Sequence, residues 1–388
     1  MLTIHPEIKF IGVVDDNLDL FEGQYPLPKG ISYNSYLIND EHIAVIDAVD
    51  CRRRTDWLEN LREALGDRQP DYLIVQHVEP DHSACVVDAL NRYPSMKVVA
   101  SDKAIAMLGN FFEDFDFGER SIAVKEGDIL DLGRAKLKFV MAPMVHWPEV
   151  MVTLDLTDGI LFSADAFGTF ATPWSTEPWD DEGRRYYCNI VGKYGNNVQT
   201  LMKKLTGAGF HTICPLHGPV LRDNLAHYWL LYDKWSRWEP ETDGVLVAYA
   251  SIYGGTAEAA RRLASMLDAQ GAGDVILMDL GRHDVSEALA EAFRLNRLAL
   301  CSVTYDAGLF PAMHDFLHHL AAKNFRNRKV GIVENGSWAP ISGKLMRDAL
   351  SGMKDMEIID PTVTLRSRLH SADIPALRQL AVSLAASR

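Results

Sequence analysis

Cysteine is scarce. Five residues, Cys51, Cys85, Cys188, Cys214 and Cys301, are scattered over 388 positions, and no two form a C-x-x-C pair. An odd, widely spaced set suits a reducing compartment, excludes a disulfide scaffold and argues against a thiolate-held zinc or iron–sulfur site. No apolar run approaches the ~20 residues that span a bilayer. The start, MLTIHPEIKF, lacks the charged and apolar regions of a secretory signal. Basic residues are also short, with 39 Lys and Arg against 53 Asp and Glu and a net charge of −14. A chain this acidic is ill suited to wrap nucleic acid or lie on anionic lipid. No internal repeat, G-x-G-x-x-G fingerprint or Gly-Lys-Ser/Thr phosphate loop occurs. Together these absences predict a cytoplasmic protein with neither nucleic acid nor membrane as partner.

What is present is an ordinary globular composition, 47% apolar and 24% charged. The length predicts two or three domains. A polar run with one Pro and one Gly, Glu239–Gly244, follows the helix-like stretch Asn224–Trp238 and reads as a linker. It divides the chain into domains over 1–240 and 245–388. In the first, strand patterns at Ile8–Val14, Tyr33–Ile38, His42–Ile46, Asp71–Gln76, Val98–Ala100, Leu137–Val140, Met151–Leu156 and Ile160–Ser163 are interspersed with helical periodicity. The helices are expected at Thr55–Leu65, Asp102–Phe111 and about Asp181–Lys204. In the second, strands at Val245–Ala250, Val275–Leu280, Leu298–Val303, Val330–Glu334 and Glu357–Ile359 alternate with helices. That alternation predicts an α/β fold with an open, doubly wound parallel five-stranded sheet. Ligands on such sheets bind at the carboxyl ends of the strands.

The chemistry concentrates after Asp71–Gln76. His77, Glu79, Asp81 and His82 stand within six residues, in a loop that follows a buried strand. His146, Asp165 and His217 each end another strand-like segment, beside small residues or Pro. One such histidine alone reads as a satisfied polar group. The cluster is hard to explain as solvated surface and predicts a metal centre. The order of elements resembles the metallo-β-lactamase fold, whose hydrolases carry His-x-His-x-Asp-His. Here Glu79 replaces the second histidine, which gives a harder nitrogen and oxygen donor set suited to redox iron.

With that change the whole chain resembles the flavodiiron proteins, or A-type flavoproteins. The resemblance implies an αββα metallo-β-lactamase-like domain followed by a flavodoxin-like domain. It implies that His77, Glu79 and His146 hold one iron, that Asp81 and His217 hold the other, and that Asp165 bridges. His82 matches a position usually outside the ligand set and is expected to orient a ligand or supply protons. PMVHWP, SADAFG and HGPVLRDN are also family-like, although the stretch between Asp165 and His217 is short.

A second site is expected on the flavodoxin-like domain. Ser251, Ile252, Tyr253, Gly254, Gly255 and Thr256 link the strand Val245–Ala250 to a helix over Ala257–Leu267. Hydroxyls, glycines and free amides at a helix start cradle phosphate. Val303, Thr304, Tyr305, Asp306 and Gly308 follow the third strand, and Asn335, Gly336, Ser337 and Trp338 the fourth. Tyr305 and Trp338 offer flat faces for an isoalloxazine ring. The family loops often read Gly-Ser-Pro-Thr and Gly-Ser-x-Gly-Trp, where this chain has Cys-Ser-Val-Thr and Asn-Gly-Ser-Trp, so FMN is expected with a different potential.

The implied enzyme is an oxidoreductase. It takes electrons from a small donor such as rubredoxin or a reduced deazaflavin and passes them through FMN to two non-haem irons, which reduce dioxygen to water or nitric oxide to nitrous oxide. A four-electron reduction of dioxygen matches two electrons from a ferrous pair and two from reduced flavin. The absence of C-x-x-C implies no fused rubredoxin domain. The resemblance also implies a head-to-tail homodimer or a dimer of dimers. The alternatives are a hydrolase carrying a flavodoxin module, which Glu79 speaks against, and a non-catalytic FMN electron carrier. His314, His318 and His319 read as an ordinary helix surface. Lys323, Arg326, Arg328 and Lys329 form a basic patch, which reads as a solvated strand edge or, beside a flavin domain, as a dock for a small acidic electron carrier.

Overall fold

The computed structural model describes residues 2–386. It separates into two compact units. One runs through Tyr187 and includes Asn196–Asp233, and the other comprises Cys188–Gly195 and the chain from Lys234 onward.

The first unit is built on two sheets. The larger orders its seven strands as Thr3–His5, Ile8–Phe10, Tyr36–Asn39, Ile43–Ile46, Tyr72–Ile74, Lys97–Ser101 and Ser121–Val124. The other orders five, Ile129–Asp131, Lys136–Met141, Met151–Asp155, Ile160–Phe162 and Thr212–Cys214. Ile38, Ile46, Ile74 and Val99 of one sheet share a buried cluster with Leu137, Phe139, Met151 and Phe162 of the other. The sheets therefore pack face to face, and helices such as Arg54–Leu65, which buries Trp57 and Leu61, cover the outside.

Several expected elements are interrupted. Ile8–Val14 breaks at Gly12, where a Cβ would lie 2.3 Å from the Tyr33 carbonyl oxygen. Val13–Asp15 then pairs with Ile31–Tyr33 in a separate ribbon. Tyr33–Ile38 breaks at Asn34, whose side-chain amide donates to the carbonyls of Pro215 (2.8 Å) and Gly218 (2.9 Å). The single helix expected over Asp181–Lys204 is two, Trp179–Tyr186 and Gly195–Leu205, separated by a π turn at Tyr187–Val191 and a 3-10 turn. The short segment between those helices belongs to the second unit, where Asn189 donates to the Ser286 carbonyl (3.2 Å) and Asn324 donates to that of Lys193 (3.1 Å).

In the second unit the central order is Asp274–Asp279, Thr242–Ala250, Leu295–Tyr305, Arg328–Asn335 and Met356–Ile358, all parallel. Val245, Val247, Ala299 and Val333 pack one face against the helices Gly255–Ala269 and Ile374–Ala386. Two short strands add to the expected five. Gly308–Leu309 turns back on Tyr305, and Val363–Leu365 continues the edge beyond Met356–Ile358. The fold is thus the metallo-β-lactamase-like and flavodoxin-like pair.

The basic patch is not free. Arg328 is buried and donates to the carbonyls of Trp238 and Phe293, both at 2.8 Å. Arg326 lies 3.9 Å over the Trp238 ring, Lys329 pairs with Glu357, and Lys323 bonds to the Asn189 carbonyl. Arg328 is thus withdrawn from the surface, while Lys323, Arg326 and Lys329 each meet a neighbour and stay partly exposed.

Candidate active site

Four strand ends of the first unit deliver the clustered side chains. Beyond Tyr72–Ile74 the chain is pinned by Asp47, whose carboxylate accepts from the Gln76 amide N–H (2.7 Å) and side chain (3.0 Å). His77 and Glu79 follow, and the turn Pro80–Ser83 carries Asp81 and His82. His146 sits in the loop after Lys136–Met141. Asp165 sits in the loop after Ile160–Phe162, between Ala164 and Phe167, which both take positive φ (50° and 65°). His217 follows Thr212–Cys214, with Nδ1 2.7 Å from the Ser32 carbonyl oxygen, so that Nε2 points inward.

The result is two adjoining groups. In the first, Glu79 Oε2 lies 3.1 Å from His77 Nε2 and 3.0 Å from His146 Nε2, and Asp165 Oδ2 lies 3.2 Å from both nitrogens. In the second, Asp81 Oδ2 lies 3.2 Å from His82 Nε2 and 3.3 Å from His217 Nε2, and those two nitrogens are 3.0 Å apart. Asp165 Oδ1 faces this second pair at 3.4 and 3.7 Å. Donor atoms held at about 2.1 Å from one ion stand roughly 3.0–3.4 Å apart, and all of these spacings but that of Asp165 and His217 (3.7 Å) fall there. The six side chains expected from the sequence all converge. His82, expected to stand behind them, instead presents Nε2 within the second group, on the same footing as His217.

The polar accounting also fits cations. Both Asp81 oxygens and Asp165 Oδ1 are buried without a hydrogen-bond donor, a costly condition unless an ion takes them up. Burial, together with the nearby Glu79 and Asp165 carboxylates, pushes the Asp81 carboxyl up to about 7. Burial also opposes ionisation of Glu79, but hydrogen bonds from His146 and His77 hold it well below the usual range. His146 is disfavoured as a cation by burial, yet Asp165 and Glu79 raise it to about 9. Three carboxylates and four imidazoles in one dry space are the donor set of a paired-metal site.

Aromatic rings wall the cluster. Trp147 stands edge-on to His77 at 5.2 Å, and Phe21, Tyr186 and Tyr33 surround His217 at 5.3, 5.6 and 6.0 Å. Their periodicity carried no signal, because each belongs to a loop or a short element. Glu149, which bonds His77 from behind, was likewise not foreseen.

In the second unit a cavity of about 410 Å³ opens at the carboxyl ends of the strands. It is lined by Ser251, Ile252, Tyr253, Gly255 and Thr256 from the first loop, Val303, Thr304, Tyr305 and Asp306 from the second, and Asn335, Gly336, Ser337 and Trp338 from the third. Gly254 and Gly308 do not line it. Gly254 turns the chain into the helix at φ 89°, and Gly308 pairs with Tyr305. Ala307, Ala339 and Ser367 line it unforeseen. Tyr253 and Trp338 are 99% and 89% exposed, so two large rings stand uncovered at its rim, as a cradle for a flat aromatic ligand requires. Gly254 caps the helix with no side-chain bond of its own, which leaves the amides of Gly255 and Thr256 for an anion while Ala257 N–H donates to Ser251 Oγ.

Comparison with known proteins agrees with this pairing. A family model described as ODP family beta lactamase matches residues 31–218. The anaerobic nitric oxide reductase flavorubredoxin of Aliivibrio fischeri is 30% identical over 353 residues, 87% of this chain and 70% of that protein. The solved rubredoxin oxygen:oxidoreductase of Desulfovibrio gigas superposes with a TM-score of 0.93 at 26% identity, covering 100% of this chain and 98% of that one. A single-site mutant of the flavo di-iron protein of Thermotoga maritima superposes at 0.87 with 25% identity, covering 98% and 96%. The fold and paired site define a flavin-dependent metalloenzyme, an oxidoreductase. The chain belongs to the flavodiiron protein family, and its cofactors are FMN and a non-haem diiron centre. Among the described residues, no helix is long and apolar enough to cross a membrane.

Proposed function

We propose that this chain reduces dioxygen to water, nitric oxide to nitrous oxide, or both, with electrons delivered through FMN by a separate small donor such as rubredoxin or a reduced deazaflavin. The observation that carries the reading is Asp165, whose two carboxylate oxygens each face a different group of imidazoles and a carboxylate. His77, Glu79 and His146 would hold one iron and Asp81, His82 and His217 the other, with Asp165 shared between the two groups. This adds His82 to the ligand set. The iron pair, when bound, supplies ferrous electrons and open positions for a diatomic gas.

The chain's own residues set the conditions. His217 is kept in one tautomer by the Ser32 carbonyl, which commits its Nε2 to metal. Trp147, Tyr33, Phe21 and Tyr186 exclude bulk water from the cluster. Tyr186 keeps its hydroxyl proton, because burial and the Asp165, Asp81 and Glu79 carboxylates push its pKa well up. In the second unit, Ser251 accepts from the Ala257 N–H (3.2 Å) and shapes the phosphate loop, while Tyr253, Tyr305 and Trp338 supply the ring faces. The domains proposed are 1–240 for iron and 245–388 for FMN, in a cytoplasmic head-to-tail homodimer or dimer of dimers that sets one chain's flavin against the other's irons.

The test is anaerobic purification with iron and FMN quantified per chain. Consumption of dioxygen and of nitric oxide is then followed at electrodes with a reduced rubredoxin. The expected result is about two irons and one FMN, with turnover of at least one gas. Zinc in place of iron, with ester or lactam hydrolysis and no gas uptake, overturns the reading. Sedimentation measures the assembly.

A further inference from the structure

The two metal positions have donor sets of the same kind. Each has two imidazole Nε2 atoms, one carboxylate of its own and one oxygen of Asp165. Asp165 stands 3.2 Å from both nitrogens of the first pair and 3.4 and 3.7 Å from those of the second, and the groups behind the ligands differ as well.

His77 Nδ1 lies 2.8 Å from Glu149 Oε1, so its N–H donates to a carboxylate and Nε2 is left to face the cluster. The same oxygen accepts from the Val78 N–H at 3.0 Å. Glu149 is 2% exposed, and its Oε2 is buried without a donor. Its backbone is fixed as well, since the carbonyl accepts from the Ser101 hydroxyl at 2.9 Å. On the other side His217 Nδ1 meets only a neutral carbonyl, that of Ser32, and His82 Nδ1 is buried with no partner. A carboxylate behind an imidazole draws its proton and loads negative charge onto the far nitrogen, and a neutral carbonyl does so less. A buried carboxylate with one bare oxygen also gains more from a nearby cation than a carbonyl dipole does.

Resting on the diiron reading, we infer that Glu149 is a positioning residue that makes the two metal positions unequal. Through His77 it strengthens the hold at the His77–Glu79–His146 position, which fills first. The second position fills later and gives up its ion more readily.

The test is a titration of the metal-free, FMN-loaded full chain with Co(II), followed by its visible absorption bands. The wild type shows two steps. His146→Ala abolishes the tighter and His217→Ala the weaker. Glu149→Gln, which keeps the shape and removes the charge, weakens the tighter step by about 10–100-fold and leaves the other unchanged. Equal loss at both steps, or no loss, overturns the inference while leaving the diiron reading intact. Fewer than two ions per wild-type chain overturns that reading itself.

A second measurement needs no variant. In zinc-loaded wild-type protein labelled at histidine nitrogen, the Nδ1–H proton of His77 resonates further downfield than that of His217. The reverse order, or a His77 proton on Nε2, overturns the inference.

Discussion

Single side chains divide into those whose type announces a role and those whose direction decides it. His77, Glu79, Asp81, His146, Asp165 and His217 were legible as a cluster because metal-binding residue types follow four strand-like segments. His82 was legible as a residue but not as a direction. Only the folded turn Pro80–Ser83 aims its ring beside that of His217. His82→Ala is expected to keep FMN and lose iron, from about two per chain toward one, as elemental analysis against flavin absorbance will show. Iron unchanged from wild type would return His82 to a supporting role. Glu149 lacked any signal, because nothing in PMVHWPEV says that the glutamate turns inward. Away from the metals, Asp158 takes a bidentate grip from Arg134 at 2.8 and 2.6 Å, and those bonds hold its carboxyl below the usual range against burial. Its stabilisation is complete above the unfolded carboxyl value of about 3.9 and fades as pH falls through the lower folded value. Asp158→Asn should therefore cost about 1 kcal/mol at neutral pH and flatten the loss of stability below about pH 4, as read from urea unfolding at each pH.

At the level of elements, strands and helices with clean periodicity were legible, and their interruptions were not. Gly12 and Asn34 break two strands for long-range reasons, a close backbone approach and a side-chain bond across the fold. The edge of the flavodoxin-like sheet was foreseen as Glu357–Ile359 alone. Its continuation, Val363–Leu365, lies beyond Pro361 and is too short to declare itself. That missed strand carries a further loop of the cavity. Ser367 lines the cavity and accepts from the Asn335 amide at its carbonyl (3.1 Å), and the same carbonyl lies 2.3 Å from where a Cβ on Gly255 would stand. Gly255→Ala should push the two loops apart at a cost of about 1–3 kcal/mol, which corresponds to FMN binding weakened roughly tenfold to a hundredfold. Quenching of flavin fluorescence on titration gives the dissociation constant, and an unchanged value would show that the loops yield freely.

For the molecule as a whole, the division into two units places the two cofactors in different stability compartments. Asp81, Glu149 and Asp165 are buried carboxylates that gain from cations. Chelation should therefore lower the unfolding temperature of the first unit and leave the second in place, while removal of FMN does the opposite. Calorimetry of the four loading states will show whether each cofactor moves its own transition. A single transition shifted by both would mean that the units unfold as one.

The long-range stitching of the first unit has a consequence for biosynthesis. Ser32 and Asn34, made early, clasp Pro215, His217 and Gly218, at a sequence separation of 185 between Ser32 and His217. While the ribosome has yet to release that last loop, a nascent chain already offers His77, Glu79 and His146 but cannot complete the other half of the centre. A chain stalled before His217 emerges is therefore expected to hold one ion and no pair, as metal analysis of stalled chains will show.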